Sequence, residues 1–185
     1  TCNSKFNKKP SEWRKYIKGN WATTSGDVAE VFPRSFRNEG CSIADYLRLS
    51  LDCGLAGDPE AYADAENILW NALFPNQIVN GGFGQRELTS VGLGGLNEPD
   101  AWWCCTMNCG RAMIDAAQHA VTLHGNTVRI NLLFSGDYLI KTPENKTVKV
   151  KVLTEYPSKA RTYITAEFPC EGMKLKLRVP NGVKD

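Results

Sequence analysis

The spacing of apolar residues changes once along the chain, near residue 124, and that change limits the folds open to it. Upstream, Ile43, Tyr46, Leu47 and Leu51 recur at helical spacing, and Ala61, Tyr62, Ala65, Ile68, Leu69, Ala72 and Leu73 do so through successive turns. Downstream, Val128, Ile130 and Leu132 alternate with Thr127, Arg129 and Asn131, the pattern of a half-buried strand. A helical pattern laid along a strand would scatter its apolar residues over both faces, so neither half can adopt the structure of the other. The chain therefore reads as α+β, with helices to about residue 124 and antiparallel strands after it.

The punctuation agrees with the pattern. A helix opens at Ser42 and ends at Gly54 and Gly57; Asp58-Pro59 then caps and opens a second, which Pro75 stops. The short connection makes the two an αα-hairpin. A third helix is predicted from about Cys105 to Leu123, with Met113, Ala116, Ala117, Ala120 and Val121 on its apolar side and His124-Gly125-Asn126 ending it. Before these, Ser11–Ile17 reads as a short helix and residues 19–38 as an irregular functional loop carrying Asp27, Glu30, Arg34 and Arg37. Residues 78–100, with six glycines, read as a loop that lets backbone approach a ligand. No Gly-Lys-Ser/Thr follows it, so a phosphate cradle is disfavoured. Short strands are predicted at Tyr138–Lys141, Thr147–Leu153, Arg161–Phe168 and Leu175–Val179.

A net charge of +2, with basic residues unclustered and not interleaved with aromatics, points away from nucleic acid. No apolar run approaches the roughly 20 residues needed to cross a bilayer. The first residues, Thr1-Cys2-Asn3, read like an internal point of a longer protein.

The chemistry is concentrated in cysteine. Seven is an odd number for a closed disulfide framework, and three of the seven fall within Cys104-Cys105-Thr106-Met107-Asn108-Cys109. Adjacent thiols cannot both point into one apolar layer, but they can hold a soft metal or present a thiolate. Glu39-Gly40-Cys41 offers a carboxylate and a thiol ahead of an earlier helix, so the two stretches together could give one tetrahedral zinc three thiolates and a carboxylate. A buried thiol pair or a vicinal disulfide is the plainer reading of Cys104-Cys105. Cys109, one turn on, could replace Glu39 as a ligand or serve as a small core residue. Cys2, Cys53 and Cys170 read as structural or free. Trp102 and Trp103 fit either a sugar-stacking platform or core packing.

Glu39-Gly40-Cys41-Ser42, then Leu69-Trp70-Asn71-Ala72-Leu73, then Trp103-Cys104-Cys105-Thr106-Met107-Asn108, resembles in that order the β-L-arabinofuranosidases of glycoside hydrolase family 127. Asn131-Leu132-Leu133-Phe134-Ser135-Gly136 and Leu175-Lys176-Leu177-Arg178-Val179-Pro180 extend the likeness from about residue 20 to the end. The resemblance implies the last helices of an (α/α)6 barrel over residues 1–124 and a β-sandwich portion over residues 125–185. It also implies retaining glycoside hydrolysis of a glycan. Zinc would be held by Glu39, Cys41, Cys104 and Cys105, with Cys104 the nucleophile and Glu30 the acid/base. Asp27 is the rival for that last role. A homodimer through the β-region is the expected assembly, with neither nucleic acid nor membrane as partner. Two readings from other classes compete: a noncatalytic carbohydrate-binding or scaffold protein with a structural zinc, and, less well, a thiol oxidoreductase, for which no Cys-x-x-Cys is present.

Overall fold

The structure, a computed structural model, describes residues 4–31, 37–89, 92–96 and 101–181. Cys2, Phe32 and Arg34 lie outside the described residues. The chain divides into two compact units, Thr1–Asp115 and Ala116–Asp185. The described elements are α+β, and no described helix is long and apolar enough to cross a membrane.

In the first unit α1 (Ser4–Asn20) precedes the predicted hairpin of α2 (Gly40–Leu55) and α3 (Pro59–Ile68). α1 is longer than the expected Ser11–Ile17; it runs back through Pro10, which removes one rung of the hydrogen-bond ladder without ending the helix. The facing stripes of the hairpin are fully buried: Ile43, Leu47 and Leu51 on α2, Ala61, Ala65 and Ile68 on α3. Asp58 stands at the N-cap of α3 with extended backbone and Pro59 follows at the first turn, as the sequence predicts. The α-helix gives way to a π-turn, Leu69–Leu73, and then to a 3-10 turn, Phe74–Asn76, that contains Pro75, which has no N–H to continue the ladder.

Close approach of the two helices depends on Gly54. A Cβ there would lie 2.6–2.8 Å from atoms of the Tyr62 ring. Alanine is the better helix former by about 1 kcal/mol, but overpacking of this kind costs about 1–3 kcal/mol. Gly54→Ala is therefore expected to lower the urea midpoint; a raised midpoint would show that the Tyr62 ring moves aside freely.

α1 is tied to the hairpin by charge. Arg14, 1% exposed, donates to Asp64 and, at 2.8 Å, to Asp58, while Lys18 bonds Asp64 at 2.6 Å and Ser11 bonds Asp58 at 2.8 Å.

The glycine-rich stretch is not wholly loop. It contains an antiparallel pair, β1 (Arg86–Thr89) and β2 (Gly92–Leu96), with Arg86 opposite Leu96 and Thr89 opposite Gly92. A ladder needs only backbone N–H and C=O groups, which glycine supplies as well as any residue; side-chain periodicity could not reveal it.

α4 (Trp103–Ala120) is the third predicted helix, but it ends three residues short of Leu123. In the second unit Val121–His124 is strand β3, paired with β4 (Thr127–Ile130) through a turn at Gly125, whose φ is 55°. His124-Gly125-Asn126 thus turns a hairpin instead of capping a helix. β-Branched Val121 and Thr122 favour this, and the long-range pairing overrides the continuing helical pattern. Asn131 satisfies the helix end, its amide bonding the His119 carbonyl and the Thr122 hydroxyl at 2.9 Å each. β5 (Gly136–Lys141), β6 (Thr147–Thr154) and β7 (Thr162–Glu167) form the expected antiparallel sheet. Its buried face carries Val148, Val150 and Val152, each at most 2% exposed. β8 (Lys174–Leu177) departs from expectation: it pairs parallel to β4, Thr127 against Lys174, because the chain crosses over β5–β7 before returning.

Candidate metal centre

The centre is built on one short ladder. Residues 37–40 run antiparallel to 84–87: Arg37 bridges Glu87, the Asn38 N–H donates to the Arg86 carbonyl at 2.8 Å, and the Gly40 N–H donates to the Gly84 carbonyl at 3.1 Å. Asn38 is fully buried and braces this ladder, its Oδ1 accepting from the Arg86 N–H at 2.7 Å. The same strand of chain also receives α4. The Trp102 N–H donates to the Phe83 carbonyl at 2.9 Å, and the Phe83 N–H donates to Thr106 Oγ1 at 3.1 Å. The first turns of α2 and α4 are thereby drawn to one place, although some 60 residues separate them.

Gly40 lets them meet. A Cβ there would lie 3.0 Å from Cys105 Cβ, 3.0 Å from Cys109 Sγ and 3.2 Å from the Gly84 carbonyl. Glu39, at the extended N-cap of α2, Cys41 in its first turn, and Cys104 and Cys105 in the first turn of α4 present one ligand atom each, all within 4.8 Å of one another. Cys41 and Cys105 Sγ are 3.8 Å apart, and Cys104 and Cys105 Sγ 4.0 Å. Two sulfurs bound to one tetrahedral ion at about 2.3 Å lie about 3.8 Å apart, so the thiols already have the spacing of a shared ion. The cluster forms from the residues that the sequence singled out.

The electrostatics ask for a cation. Burial raises the Cys41 thiol well above its ordinary range, with further upward pushes from Cys105, Cys104 and Glu39. Burial likewise raises Cys105. The first-turn helix amides favour thiolates but do not offset these costs. A divalent ion would, since a coordinating thiol is deprotonated outright.

Cys109 lies outside the cluster. It is fully buried, pushed up to about 12 first by burial and then by Cys105, and donates to the Gly40 carbonyl at 3.2 Å, bracing the α2 entry. Cys41, Cys53, Cys104, Cys105, Cys109 and Cys170 are all free thiols, so Cys104-Cys105 is not a vicinal disulfide. Cys105 is buried, while Glu39, Cys41 and Cys104 are half-buried and Trp103 is 82% exposed.

The two loop carboxylates separate. Asp27 is fully buried; its Oδ1 accepts from Asn38 Nδ2 at 2.7 Å and its Oδ2 from the Ser25 hydroxyl at 3.0 Å. Burial raises its carboxyl, and those hydrogen bonds pull it part of the way back. Asp27 thus anchors the ladder and has no open face for a substrate. Glu30 is exposed, and its N–H donates to the Arg37 carbonyl at 2.9 Å, two residues before Glu39 in the chain. Asn38, Gln85 and the bracing role of Gly40 escaped the sequence reading; the Glu-Gly-Cys triplet was the one local sign of the last.

Three solved structures with a similar fold are glycoside hydrolases. A glycoside hydrolase family 127 β-arabinofuranosidase matches with a TM-score of 0.72 at 21% identity, over 89% of this chain and 28% of its own. A family 127 β-L-arabinofuranosidase from Geobacillus stearothermophilus matches with a TM-score of 0.66 at 16% identity, over 91% of this chain and 31% of its own. A third structure, a glycoside hydrolase, gives 0.72 at 16% identity, over 93% of this chain and 35% of its own. The chain thus shares its fold with these proteins and spans about a third of their length. No protein-family model and no curated protein sequence matches it.

Proposed function

We propose that this chain carries the reaction centre of a zinc-dependent retaining glycoside hydrolase. Its substrate would be β-linked L-arabinofuranose, or a similar sugar, of plant-type glycans. The observation that carries this reading is the convergence of Glu39, Cys41, Cys104 and Cys105 within 4.8 Å, in a fold similar to that of β-arabinofuranosidases. These four residues would hold the zinc, which when bound supplies thiolates at neutral pH. The same likeness supports α2–α4 as closing helices of an (α/α)6 barrel over residues 1–124 and the later strands as part of a β-sandwich over residues 125–185.

Cys104 is the nucleophile in this scheme, the role the resemblance gives it; it is half-buried, as is Cys41, while Cys105 is closed off. Its sulfur bonds to the anomeric carbon as the bond to the leaving oxygen breaks, and Glu30 gives that oxygen its proton. The Glu30 carboxylate then takes a proton from water. The water oxygen bonds to the anomeric carbon, the carbon–sulfur bond breaks, and its electron pair returns to Cys104. Two inversions retain the configuration.

Glu30→Gln separates the roles. It should slow hydrolysis of alkyl arabinofuranosides on the order of 10²–10⁴-fold and of activated aryl ones far less, because a good leaving group needs no proton. Equal slowing of both would move the acid/base role away from Glu30. The competing reading, a noncatalytic carbohydrate-binding or scaffold protein with a structural zinc, predicts one bound zinc by elemental analysis with no labelling of Cys104 by an electrophilic arabinofuranosyl analogue. Partial opening of Cys104 favours the catalytic reading, since structural sites are closed. Exposed Leu139, Leu153 and Tyr163 on β5–β7 support a homodimer through the β-region; sedimentation as a monomer at high concentration would refute it.

A further inference from the structure

Gln85 is 2% exposed, yet its Nε2 has no hydrogen-bond partner among the described residues. A buried donor left without an acceptor costs about 1–3 kcal/mol, so its retention needs a reason. The ladder register supplies one. With Arg37 opposite Glu87, and backbone bonds joining 38 to 86 and 40 to 84, Glu39 falls directly opposite Gln85. Carried through 39 and 85, that register makes a non-hydrogen-bonded position, with the Asn38 and Gly40 N–H groups bonding the Arg86 and Gly84 carbonyls on either side. In such pairs the two side chains stand on the same face with α-carbons only about 4.5 Å apart.

The amide is also oriented. Arg37 Nη1 donates to Gln85 Oε1 at 3.3 Å, which commits the oxygen to the guanidinium and leaves the NH₂ group as the free end. A cationic donor on Oε1 strengthens Nε2 as a donor in turn. Across the ladder, Glu39 Oε2 accepts from the Ser42 hydroxyl at 3.1 Å and has further lone pairs to satisfy.

We propose that Gln85 is a positioning residue of the metal centre. With the metal bound, its Nε2 would donate to the Glu39 carboxylate and, with Ser42, hold that carboxylate in its ligating orientation. The inference rests on the zinc reading above and names its outer support: Arg37 to Gln85 to Glu39. Carboxylate ligands are themselves hydrogen-bonded, and loss of such a partner typically weakens metal binding 10–100-fold.

The test is zinc affinity of the full chain, measured by competition with a chromophoric chelator, beside the melting temperature of the chelator-stripped protein. Wild type that binds no zinc would sink the metal reading itself, separately from this inference. Given wild-type binding, Gln85→Met should weaken it about 10–100-fold. The stripped variant should melt at the same or a higher temperature, because an unsatisfied buried donor has been replaced by an apolar group of similar shape. A residue that only packs would give the reverse pattern: lower melting with unchanged affinity. In the cobalt(II)-loaded protein, Gln85→Met should shift the d–d bands and keep the sulfur-to-metal bands, since the thiolates are untouched. Arg37→Met, at an exposed position, provides a second variant that leaves Gln85 itself in place, and should weaken zinc several-fold. Wild-type affinity in both variants would overturn the proposal.

Discussion

Cys104→Ser is expected to lower turnover of an aryl β-L-arabinofuranoside by at least roughly 10³-fold, in this chain or in a longer polypeptide that contains it. Loss of a covalent nucleophile has effects of that order or larger. A serine hydroxyl stays protonated where a thiol ionises, and the anomeric carbon then meets a poor nucleophile. The neighbouring cysteines provide the control. Cys105→Ser removes a proposed ligand from the closed side of the centre, so it should cost metal first and activity as a consequence. Cys104→Ser should retain some zinc, held by Glu39, Cys41 and Cys105, with little activity. Elemental analysis of both variants beside their kcat values distinguishes the two. Near wild-type turnover of Cys104→Ser would refute the nucleophile assignment.

The largest effect on stability is expected at Arg14, far from the chemistry in role. Removing one partner of a buried ion pair costs about 3–5 kcal/mol, because the remaining charges stay desolvated. Arg14→Met leaves Asp58 and Asp64 without their shared cation, although Lys18 still reaches Asp64. A loss of about 3 kcal/mol corresponds to a fall of about 6–12 °C in melting temperature for a chain of this size. Adding Asp64→Asn should restore part of it, since the two changes fall within one network. The pH dependence has a definite sign. Partial burial works to raise the Asp58 carboxyl, but hydrogen bonds from Arg14 and Ser11 more than offset it, so Asp58 titrates below its ordinary range. A carboxylate depressed in the folded state contributes stability above its unfolded pKa and loses it as pH falls through the folded one. The gap between wild type and Arg14→Met should therefore narrow below about pH 4. A melting temperature within about 2 °C of wild type at pH 7 would mean that the network adds nothing measurable.

Much of the α2–α3 hairpin and the β5–β7 sheet could be read from periodicity, since Leu47 or Val150 is buried for reasons visible in its near neighbours. The four residues of the cluster were also legible, because adjacent thiols build a core poorly and, with a Glu-x-Cys, make good donors for a soft cation. The misreadings share a cause. Val121–His124 looked helical because the apolar pattern continued, and only pairing with Thr127–Ile130 turns it into a strand. Asp27 looked like a possible acid because a carboxylate in a loop says nothing of its burial; Asn38 and Ser25 close it off. Gln85 and Arg14 look like ordinary surface residues in sequence, and both are buried.

What the sequence by itself determined is the local order: which segments are amphipathic, where most of them stop, and which residue types can hold a soft cation. Those follow from interactions between residues a few positions apart. Tertiary structure alone decided that Gly84 would receive Gly40, that Asn38 would brace Arg86, and that β8 would join β4 in parallel. The physical reason is that backbone hydrogen bonds carry no side-chain signature. A ladder between residues 37–40 and 84–87 joins N–H and C=O groups that every non-proline residue possesses, so its partners are chosen by the packing of the whole unit and leave no periodic trace in the chain.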